Sequence, residues 1–217
     1  MNMSRHTFLL NMYGAMFDAM GPSEWWPGQS AFEICLGAIL TQNTSWGNVE
    51  KAIWNLRARD LLQPGELFAL PEDKLAELIR PAGYFRVKAR RVKSFVHFLR
   101  REVGFDIDSL AEQDMDALRG KLLQVKGIGP ETADSMLLYA LDKPSFVVDA
   151  YTARICHRHG LVPSDIGYDE LREFFMDVLP PDIYLFNEFH ALFVRVGKKW
   201  CKKRNGLCAD CPLFSFF

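Results

Sequence analysis

The sequence predicts an all-α fold, and three observations carry that prediction. Apolar residues recur at spacings of three and four over most of the chain, as they do between residues 30 and 40. Prolines such as Pro27, Pro64, Pro130 and Pro144 fall between the periodic segments, where they end one helix or begin another. The only candidate strand, at 146–148, is short and isolated. We therefore expect many short helices and no sheet.

The predicted helices follow one another through the chain. Pro130 lies where the first turn of a helix accepts proline. No repeat of solenoid length is evident. The expected helices are Ser30–Leu40, Val49–Leu56, Leu67–Ile79, Lys88–Arg101, Met115–Val125, Thr132–Leu141, Ala150–His159, Tyr168–Val178 and Leu185–Val196.

The composition indicates a folded protein of the cytoplasm. Of its 217 residues, 49% are hydrophobic and 24% charged, which is ordinary for a globular chain. No apolar run reaches about 18 residues, so we expect no membrane span. The first twenty residues lack the cleavage site of a signal peptide. An odd count of five cysteines, three of them near the end, indicates a reducing compartment and a metal site rather than disulfides.

Charge is segregated along the chain, although the formal net charge is only −1. Basic residues concentrate in 86–101 and again in 195–204, and the segments 102–116 and 165–182 between them are mainly acidic. Each basic stretch alone is typical of a solvated helix face. Two such stretches in a nearly neutral protein favour contact with a polyanion.

A glycine-containing turn between two predicted helices is the most informative segment. One helix ends near Val125, Gly127 and Gly129 follow, and the next helix begins at Pro130. Glycines permit left-handed dihedrals and close approach of another backbone. The N–H groups of such a turn, beside a helix N-terminus, can bind a phosphate oxygen. An ordinary packing turn between helices remains the alternative.

Asp149 follows the apolar pair Val147-Val148 and directly precedes the helix predicted at Ala150. Aspartate is a preferred N-cap residue, and this structural role explains its position by itself. A carboxylate at the end of a buried segment can also act in catalysis. The residue and its neighbours alone leave both roles open.

Together these residues resemble the endonuclease III superfamily of helix-hairpin-helix DNA glycosylases. The similar segments are Lys126–Asp134, Val147–Tyr151, Leu36–Thr44 and Gly83–Ala89, in the family's order, within a match over roughly 30–211. The resemblance implies two helical lobes with a DNA-binding cleft between them, and a helix-hairpin-helix motif at about 118–141. One lobe would be 30–143, and the other 1–29 plus 144–217.

The resemblance also implies roles for individual residues. Asp149 would stabilise the positive charge on the sugar and orient or deprotonate water. The target base must leave the duplex to be reached, and Gln42 would fill the gap it leaves. The other expected DNA-binding residues are Lys126, Gly127, Gly129, Thr132 and Lys198. The expected partner is double-stranded DNA containing a damaged base, bound by a monomer at the bacterial nucleoid and not at a membrane.

Glu131 is the first departure from the family pattern. Bifunctional members carry a lysine two residues after the second hairpin glycine, and this lysine forms a Schiff base with the sugar. A carboxylate cannot form an imine, so the resemblance implies a monofunctional glycosylase that uses water. Lys126 precedes the hairpin and is not assigned as a nucleophile.

The cysteines are the second departure. Cys201, Cys208 and Cys211 match the first three ligands of the family's iron–sulfur loop, but Phe217 stands where the fourth cysteine is expected. A four-cysteine [4Fe–4S] site is therefore incomplete. An unusual iron–sulfur cluster, zinc with an outside ligand, and an empty loop all stay open.

Paired tryptophans point to the substrate. Trp25 and Trp26, together with Trp46, resemble aromatic residues of the base pocket in the endonuclease-III-like 3-methyladenine DNA glycosylase branch. Indole faces stack well on a cationic, alkylated purine. We expect a glycosylase for alkylated purines such as 3-methyladenine. The alternative functions are a glycosylase for oxidised or mismatched pyrimidines and a non-catalytic DNA-binding protein. The alternative role for the tryptophans is packing in the helical core.

Overall fold

A computed structural model describes residues 4–23 and 25–216 of the chain. Within those two ranges the secondary structure is entirely helical, so the predicted all-α fold is confirmed. None of the helices described there is both long and apolar enough to cross a lipid bilayer. Phe217, the residue at the fourth cysteine position, lies outside the described residues.

Helices account for most of the described chain. The α-helices are α1 (Arg5–Met20), α2 (Ala31–Leu40), α3 (Trp46–Arg57), α4 (Pro64–Ala69), α5 (Glu72–Leu78), α6 (Phe85–Val103), α7 (Met115–Leu123), α8 (Pro130–Ala140), α9 (Ala150–Arg158), α10 (Tyr168–Met176) and α11 (Ile183–Lys199). Short 3-10 helices lie at Arg80–Ala82, Ile107–Leu110, Cys208–Asp210 and Phe214–Phe216.

The structure corrects one expected helix and adds one that was not expected. The segment Leu67–Ile79 is not one helix, because Leu70 and Pro71 are extended, with ψ of 131° and 142°, and separate α4 from α5. A proline favours an extended residue before it, which ends α4. The helix α1 was not predicted, although its buried residues Leu9, Met12 and Met16 lie on one face. Further apolar residues around α1 obscure that face in the sequence.

The chain forms two compact units. The continuous unit is Trp26–Lys143, and the split unit combines Met1–Trp25 with Pro144–Phe217. In the continuous unit, apolar side chains of α2, α3, α6 and α8 form one buried core. Burial of such side chains is the main favourable term in its folding.

Phenylalanines dominate the core of the split unit. Phe146 stacks on Phe175 with ring centroids 4.3 Å apart, and Phe186 and Phe189 meet its ring edge-on. The apolar residues 146–148 that resemble a strand are therefore buried coil, packed between α10 and α11. This packing fixes the backbone just before Asp149.

The pair α7–α8 forms a helical hairpin held by a buried ion pair. Asp134 on α8 is fully buried, and Arg119 on α7 donates to both of its carboxylate oxygens, at 2.9 and 3.1 Å. Such a two-bond pair fixes geometry as well as distance. Removing one partner would leave a buried charge uncompensated, at a cost of about 3–5 kcal/mol.

Candidate functional site

Asp149 is the N-cap of α9. Its Oδ1 accepts hydrogen bonds from the backbone N–H groups of Tyr151 and Thr152, both at 2.8 Å, and from the Thr152 hydroxyl at 3.0 Å. The structural role expected of an aspartate before a helix is thus present. These bonds occupy one carboxylate oxygen and fix the side chain's rotamer.

The second oxygen of Asp149 faces a histidine. Nε2 of His190, on α11, lies 3.7 Å from Asp149 Oδ2, and the two side chains are only 6% and 13% exposed. Burial would raise the pKa of the Asp149 carboxyl, but His190 and the hydrogen bonds from Thr152 outweigh burial and hold that pKa below its ordinary value. Asp149 is therefore a buried carboxylate that keeps its charge at neutral pH.

Trp25 belongs to the same unit as Asp149. Its ring lies 6.4 Å from the ring of His190, nearly edge-on, and Lys198 Nζ is 5.9 Å from its centroid. Trp25 is half-buried, and Lys198 is exposed in the last turn of α11. A cation and an aromatic face at this distance attract each other.

Two charged side chains of α11 hold the segment that leads to Trp25. Arg195 donates to the carbonyl oxygens of Met20 and Gly21, at 2.6 and 2.8 Å, and to the Ser23 hydroxyl at 3.0 Å. The buried carboxylate of Glu188 accepts from the Ser23 N–H. These bonds hold the chain as far as Ser23, two residues before Trp25.

Trp26 and Trp46 come together in the continuous unit. Their ring centroids are 5.0 Å apart at 81°, and Trp26 stacks on Tyr139 of α8 at 5.1 Å. Gly37 makes room for both indoles, because a Cβ there would lie 3.3 Å from Trp46 and 3.4 Å from Trp26. The structure thus joins two of the three predicted tryptophans to each other and places Trp25 in the other unit.

The hairpin turn needs glycine at one position rather than two. Gly127 has a φ of +95°, in the region that favours glycine, and a Cβ there would lie 2.8 Å from Cδ of Arg91. Gly129 has a φ of −96° and a ψ of 177°, and a Cβ there would meet nothing within 4 Å. The conformational freedom of glycine is therefore required at position 127 and not at position 129.

Gln42 lies against this turn. Its side-chain amide donates to the carbonyl oxygen of Gly127 at 3.1 Å and to the Thr132 hydroxyl at 2.9 Å. Its side-chain oxygen accepts a hydrogen bond from Arg91 Nη1 on α6. The structure therefore brings three predicted DNA-binding residues together: Gln42, Gly127 and Thr132.

The basic stretch 86–101 is not one solvated face. Lys88 is buried and donates to the carbonyl oxygens of Leu40 and Ala82, at 2.9 and 2.7 Å. Burial and the charge of Arg91 lower the pKa of Lys88 to about 8. Lys93 likewise donates to carbonyl oxygens at the end of α4. These lysines hold helix ends in place, where carbonyl oxygens lack intrahelical partners.

Two other cations of this stretch, Arg90 and Arg91, border an open depression of about 680 Å³ beside the hairpin. Arg90, Arg91, Lys126 and Gly127 are among its lining residues. Lys126 and Arg90 are exposed, so their charges face solvent. A basic depression next to backbone N–H groups can accept phosphate. Glu131, where a lysine would mark a lyase, lies in the first turn of α8 and is exposed.

The tail carries the three cysteines that the resemblance assigns to a metal site: Cys201, Cys208 and Cys211. Cys201 is buried, and its sulfur accepts a hydrogen bond from Arg158 at 3.2 Å. Burial raises the pKa of the Cys211 thiol, and the nearby Cys201 and Cys208 raise it further. Among residues 4–23 and 25–216, no three His, Cys, Asp or Glu side chains form a group that could hold a metal ion.

Sequence reasoning missed three residues that contact predicted ones. Arg91 was counted only as one charge of a basic stretch, Tyr139 as one apolar position of a helix, and His190 was not singled out. Each acts on a residue far away in the chain: Gln42, Trp26 and Asp149 respectively. No local pattern signals such contacts.

The chain is similar in sequence to known DNA repair proteins. A family model described as HhH-GPD superfamily base excision DNA repair protein matches residues 36–181. A protein of Methanocaldococcus jannaschii, provisionally named a DNA repair glycosylase, is 45% identical over 218 residues, covering 100% of this chain and 98% of the relative. Endonuclease III of Thermotoga maritima is 31% identical over 183 residues, covering 84% of this chain and 80% of the relative.

Solved structures share the fold. The 3-methyladenine DNA glycosylase of H. pylori, bound to 1,N6-ethenoadenine, is 27% identical with a TM-score of 0.77, over 91% of this chain and 98% of that chain. An endonuclease III–DNA covalent intermediate gives a TM-score of 0.82 at 20% identity, over 99% of this chain and 96% of that chain. At that identity the second likeness shows the fold alone.

Proposed function

The chain belongs to the HhH-GPD superfamily of base excision DNA repair proteins, and we propose that it is a monofunctional DNA glycosylase for alkylated purines such as 3-methyladenine. The reaction is hydrolysis of the N-glycosidic bond, with Asp149 as the catalytic carboxylate. The observation that carries the proposal is the buried, charged Asp149 with one oxygen fixed by α9 and the other directed at His190.

Asp149 supplies what this hydrolysis requires. As the base leaves, positive charge develops on the sugar, and a fixed negative charge stabilises it without reorganisation. Oδ1 is occupied by backbone and hydroxyl donors, so the group cannot rotate freely. Oδ2, which lies 3.7 Å from His190 Nε2, is the oxygen that we assign to the sugar or a water molecule. The lowered pKa keeps the carboxylate ready at neutral pH.

The aromatic residues support the alkylpurine as substrate. Trp26 and Trp46 are half-buried and packed together, and Trp25 lies beside His190 in the unit of Asp149. An electron-rich ring attracts a cationic base by about 0.5–2 kcal/mol, more than it attracts a neutral one. The relative from H. pylori that shares this fold at 27% identity is a 3-methyladenine DNA glycosylase.

Glu131 supports hydrolysis without a lyase step. The first turn of α8 carries a carboxylate at this position, which the helix dipole favours. A carboxylate offers no amine for a covalent imine, so water is the nucleophile. An alkylated purine is a good leaving group and requires little protonation, which suits a site whose assigned catalytic group is one carboxylate.

Oxidised pyrimidines are the second candidate substrates. The relationship to endonuclease III of Thermotoga maritima, at 31% identity, favours them. The two candidates differ in the charge of the base, because 3-methyladenine is cationic and oxidised pyrimidines are neutral. A panel of oligonucleotides with single lesions therefore separates them.

The test combines that lesion panel with Asp149→Asn. Asparagine is as good an N-cap as aspartate, so the variant keeps the cap of α9 and removes only the charge. We expect wild-type protein to release 3-methyladenine, and Asp149→Asn to do so about 10²- to 10³-fold more slowly. The matched control is Asp182→Asn, which changes the N-cap aspartate of α11 in the same unit.

The two parts of the proposal fail separately. Release of base by Asp149→Asn at the wild-type rate would refute the catalytic assignment. Release of oxidised or mismatched pyrimidines, but not of 3-methyladenine, would refute the substrate and leave the glycosylase assignment standing. Tight DNA binding without release of any base would support a non-catalytic DNA-binding protein instead.

A further inference from the structure

We infer that Arg91 is a positioning residue that joins Gln42 to the hairpin turn, so that the glutamine and the turn meet DNA as one rigid element. The inference rests on the proposed function, because Gln42 matters only if the chain engages damaged duplex. It adds a residue that neither the hairpin motif nor the basic stretch identifies. The contacts that carry it all lie within the continuous unit.

The first support is the complete pairing of the Gln42 side chain. Its amide nitrogen donates to Gly127 O and Thr132 Oγ1, and its oxygen accepts from Arg91. Two of these three bonds lead directly to the hairpin, and the third comes from α6. Because both the nitrogen and the oxygen of the amide are hydrogen-bonded, the Gln42 side chain is held in one rotamer in the free protein.

The second support is the packing of Arg91 on the turn. The methylene groups of Arg91 lie where a side chain at position 127 would be, since a Cβ there would come within 2.8 Å of Cδ. One side chain therefore covers Gly127 with its stem and binds Gln42 with its guanidinium. Contact by the stem and hydrogen bonding by the head fix both partners relative to α6.

The third support is Lys88, one turn before Arg91 on the same face of α6. Its ammonium group donates to the carbonyl oxygen of Leu40, the last residue of α2. The backbone that leads into Gln42 is thus bound to α6 by Lys88, and the Gln42 side chain by Arg91. Two cations of one helix face set the position of the loop.

Arginine is required for this geometry. The planar guanidinium places its donors at a fixed angle to a stem that lies flat on the turn, whereas a lysine ammonium is a point charge on a flexible stem. Arg91→Lys keeps the charge and removes the fixed fork. The alternative role for Arg91 is a direct phosphate contact, for which lysine would serve equally well.

The experiment compares Arg91→Lys, Arg91→Ala, Gln42→Ala and the double variant Arg91→Lys/Gln42→Ala. The control is Arg90→Ala, which removes an exposed cation of the same depression. Affinities are measured by fluorescence anisotropy for undamaged duplex and for duplex carrying a non-cleavable lesion analogue, across a range of salt. We expect Arg91→Lys to lose about tenfold in preference for the lesion, the size of a charged hydrogen bond, with an unchanged salt dependence. Gln42→Ala should lose the same amount, and the double variant no more.

Arg90→Ala should behave differently. Loss of a phosphate contact weakens binding to both duplexes and lowers the slope of log affinity against log salt by about 1. The inference is overturned if Arg91→Lys keeps the lesion preference, or if its effect and that of Gln42→Ala add. It is also overturned if Arg91→Ala reproduces the salt behaviour of Arg90→Ala and leaves lesion preference intact.

A second measurement needs no damaged DNA and separates this inference from the proposed function. The side-chain amide signals of Gln42, identified by their loss in Gln42→Ala, should exchange slowly with solvent in wild type and in Arg90→Ala, and fast in Arg91→Lys. If exchange becomes fast in Arg91→Lys and the protein excises no base, the positioning role of Arg91 is supported and the proposed function is refuted. Equal exchange rates in Arg91→Lys and wild type would refute the positioning role of Arg91, whichever base the protein excises.

Discussion

At the scale of single residues, Asp149 performs two tasks with its two oxygens. Oδ1 caps α9 through three hydrogen bonds, and Oδ2 faces His190. The cap fixes the side chain, and the fixed side chain holds a buried charge. The structural and catalytic interpretations of this aspartate are therefore compatible, because the hydrogen bonds that cap the helix also fix the carboxylate that we propose to be catalytic.

The pH dependence of activity should depend on His190. Because the pKa of Asp149 is lowered, its charged form persists as pH falls, and activity should be lost only as pH passes through that lowered pKa. In His190→Gln the lowering contribution of the histidine is gone and burial still raises the pKa. We expect the acidic limb of the kcat/KM profile to move to higher pH, with activity at pH 7 about two- to tenfold below wild type.

The pH dependence of folding stability should shift in the same direction as that of activity. A carboxyl with a lowered pKa in the folded state contributes stability above its unfolded pKa, and that contribution disappears as pH falls through the folded pKa. Acid unfolding of His190→Gln, followed by circular dichroism, should therefore begin at higher pH than in wild type. His97→Gln, at an exposed histidine on α6, is the control. An unchanged acidic limb in His190→Gln would show that His190 does not hold the Asp149 charge.

At the scale of elements, the hairpin separates two uses of glycine. Gly127 has a left-handed backbone and lies under Arg91, so Gly127→Ala meets both strain and a side chain. We expect the free energy of unfolding to fall by about 1–2 kcal/mol, which corresponds to a melting temperature lower by about 2–8 °C. Gly129→Ala should leave the melting temperature unchanged, because its backbone is extended and its surroundings are open.

DNA affinity completes this comparison. If the N–H groups after the turn bind a phosphate, a methyl group at position 129 obstructs the approach of DNA without disturbing the free protein. Gly129→Ala should then weaken binding to duplex while it melts like wild type. Wild-type affinity in Gly129→Ala would place the phosphate elsewhere. A lower melting temperature in that variant would contradict the open surroundings.

The helices were largely predictable because each buries one face. That face appears in the sequence as apolar residues at spacings of three and four. The segment Leu67–Ile79 was misjudged because apolar spacing continued across Pro71, whose effect on the backbone outweighs periodicity. For α1, apolar residues on several sides hid the face formed by Leu9, Met12 and Met16. Local patterns therefore determine the type of element better than its ends.

The candidate site was predictable only where a motif is continuous in sequence. Asp149 and Gly127 lie in short recognisable segments, and the structure gives each a specific conformation. The bond between Gln42 and the carbonyl of Gly127 spans 85 positions, and the packing of Trp26 on Tyr139 likewise joins distant helices. Contacts of this kind depend on tertiary packing, which no local spacing encodes.

At the scale of the whole molecule, the net charge is −1, and the cations fall into two groups with different roles. Lys88, Lys93 and Arg195 are directed at backbone carbonyl oxygens and serve the fold. Arg90 and Lys126 remain exposed beside the hairpin. The charges available to DNA are therefore fewer than the basic stretches suggest, and the salt dependence of binding should reflect this smaller number.

The reaction class of the whole protein can be tested by borohydride trapping. A lyase step requires an amine that attacks the sugar C1′ as the base leaves and forms an imine, which borohydride reduces to a stable protein–DNA crosslink. Glu131 offers no amine, so we expect wild-type protein incubated with abasic or lesion-containing duplex to give no crosslinked band on a denaturing gel. Cleavage of the strand should require added alkali.

Glu131→Lys provides the positive control for that experiment. Position 131 is exposed in the first turn of α8, so a lysine fits there without disturbing the core. Because the proposal assigns the missing lyase step to this one side chain, Glu131→Lys should give a crosslink where wild type gives none. Efficient trapping by wild type would instead show that another amine reaches the sugar. Lys198→Ala and Lys199→Ala, in the exposed last turn of α11, would then identify which lysine acts, since only the variant that lacks the reactive amine would lose the crosslink.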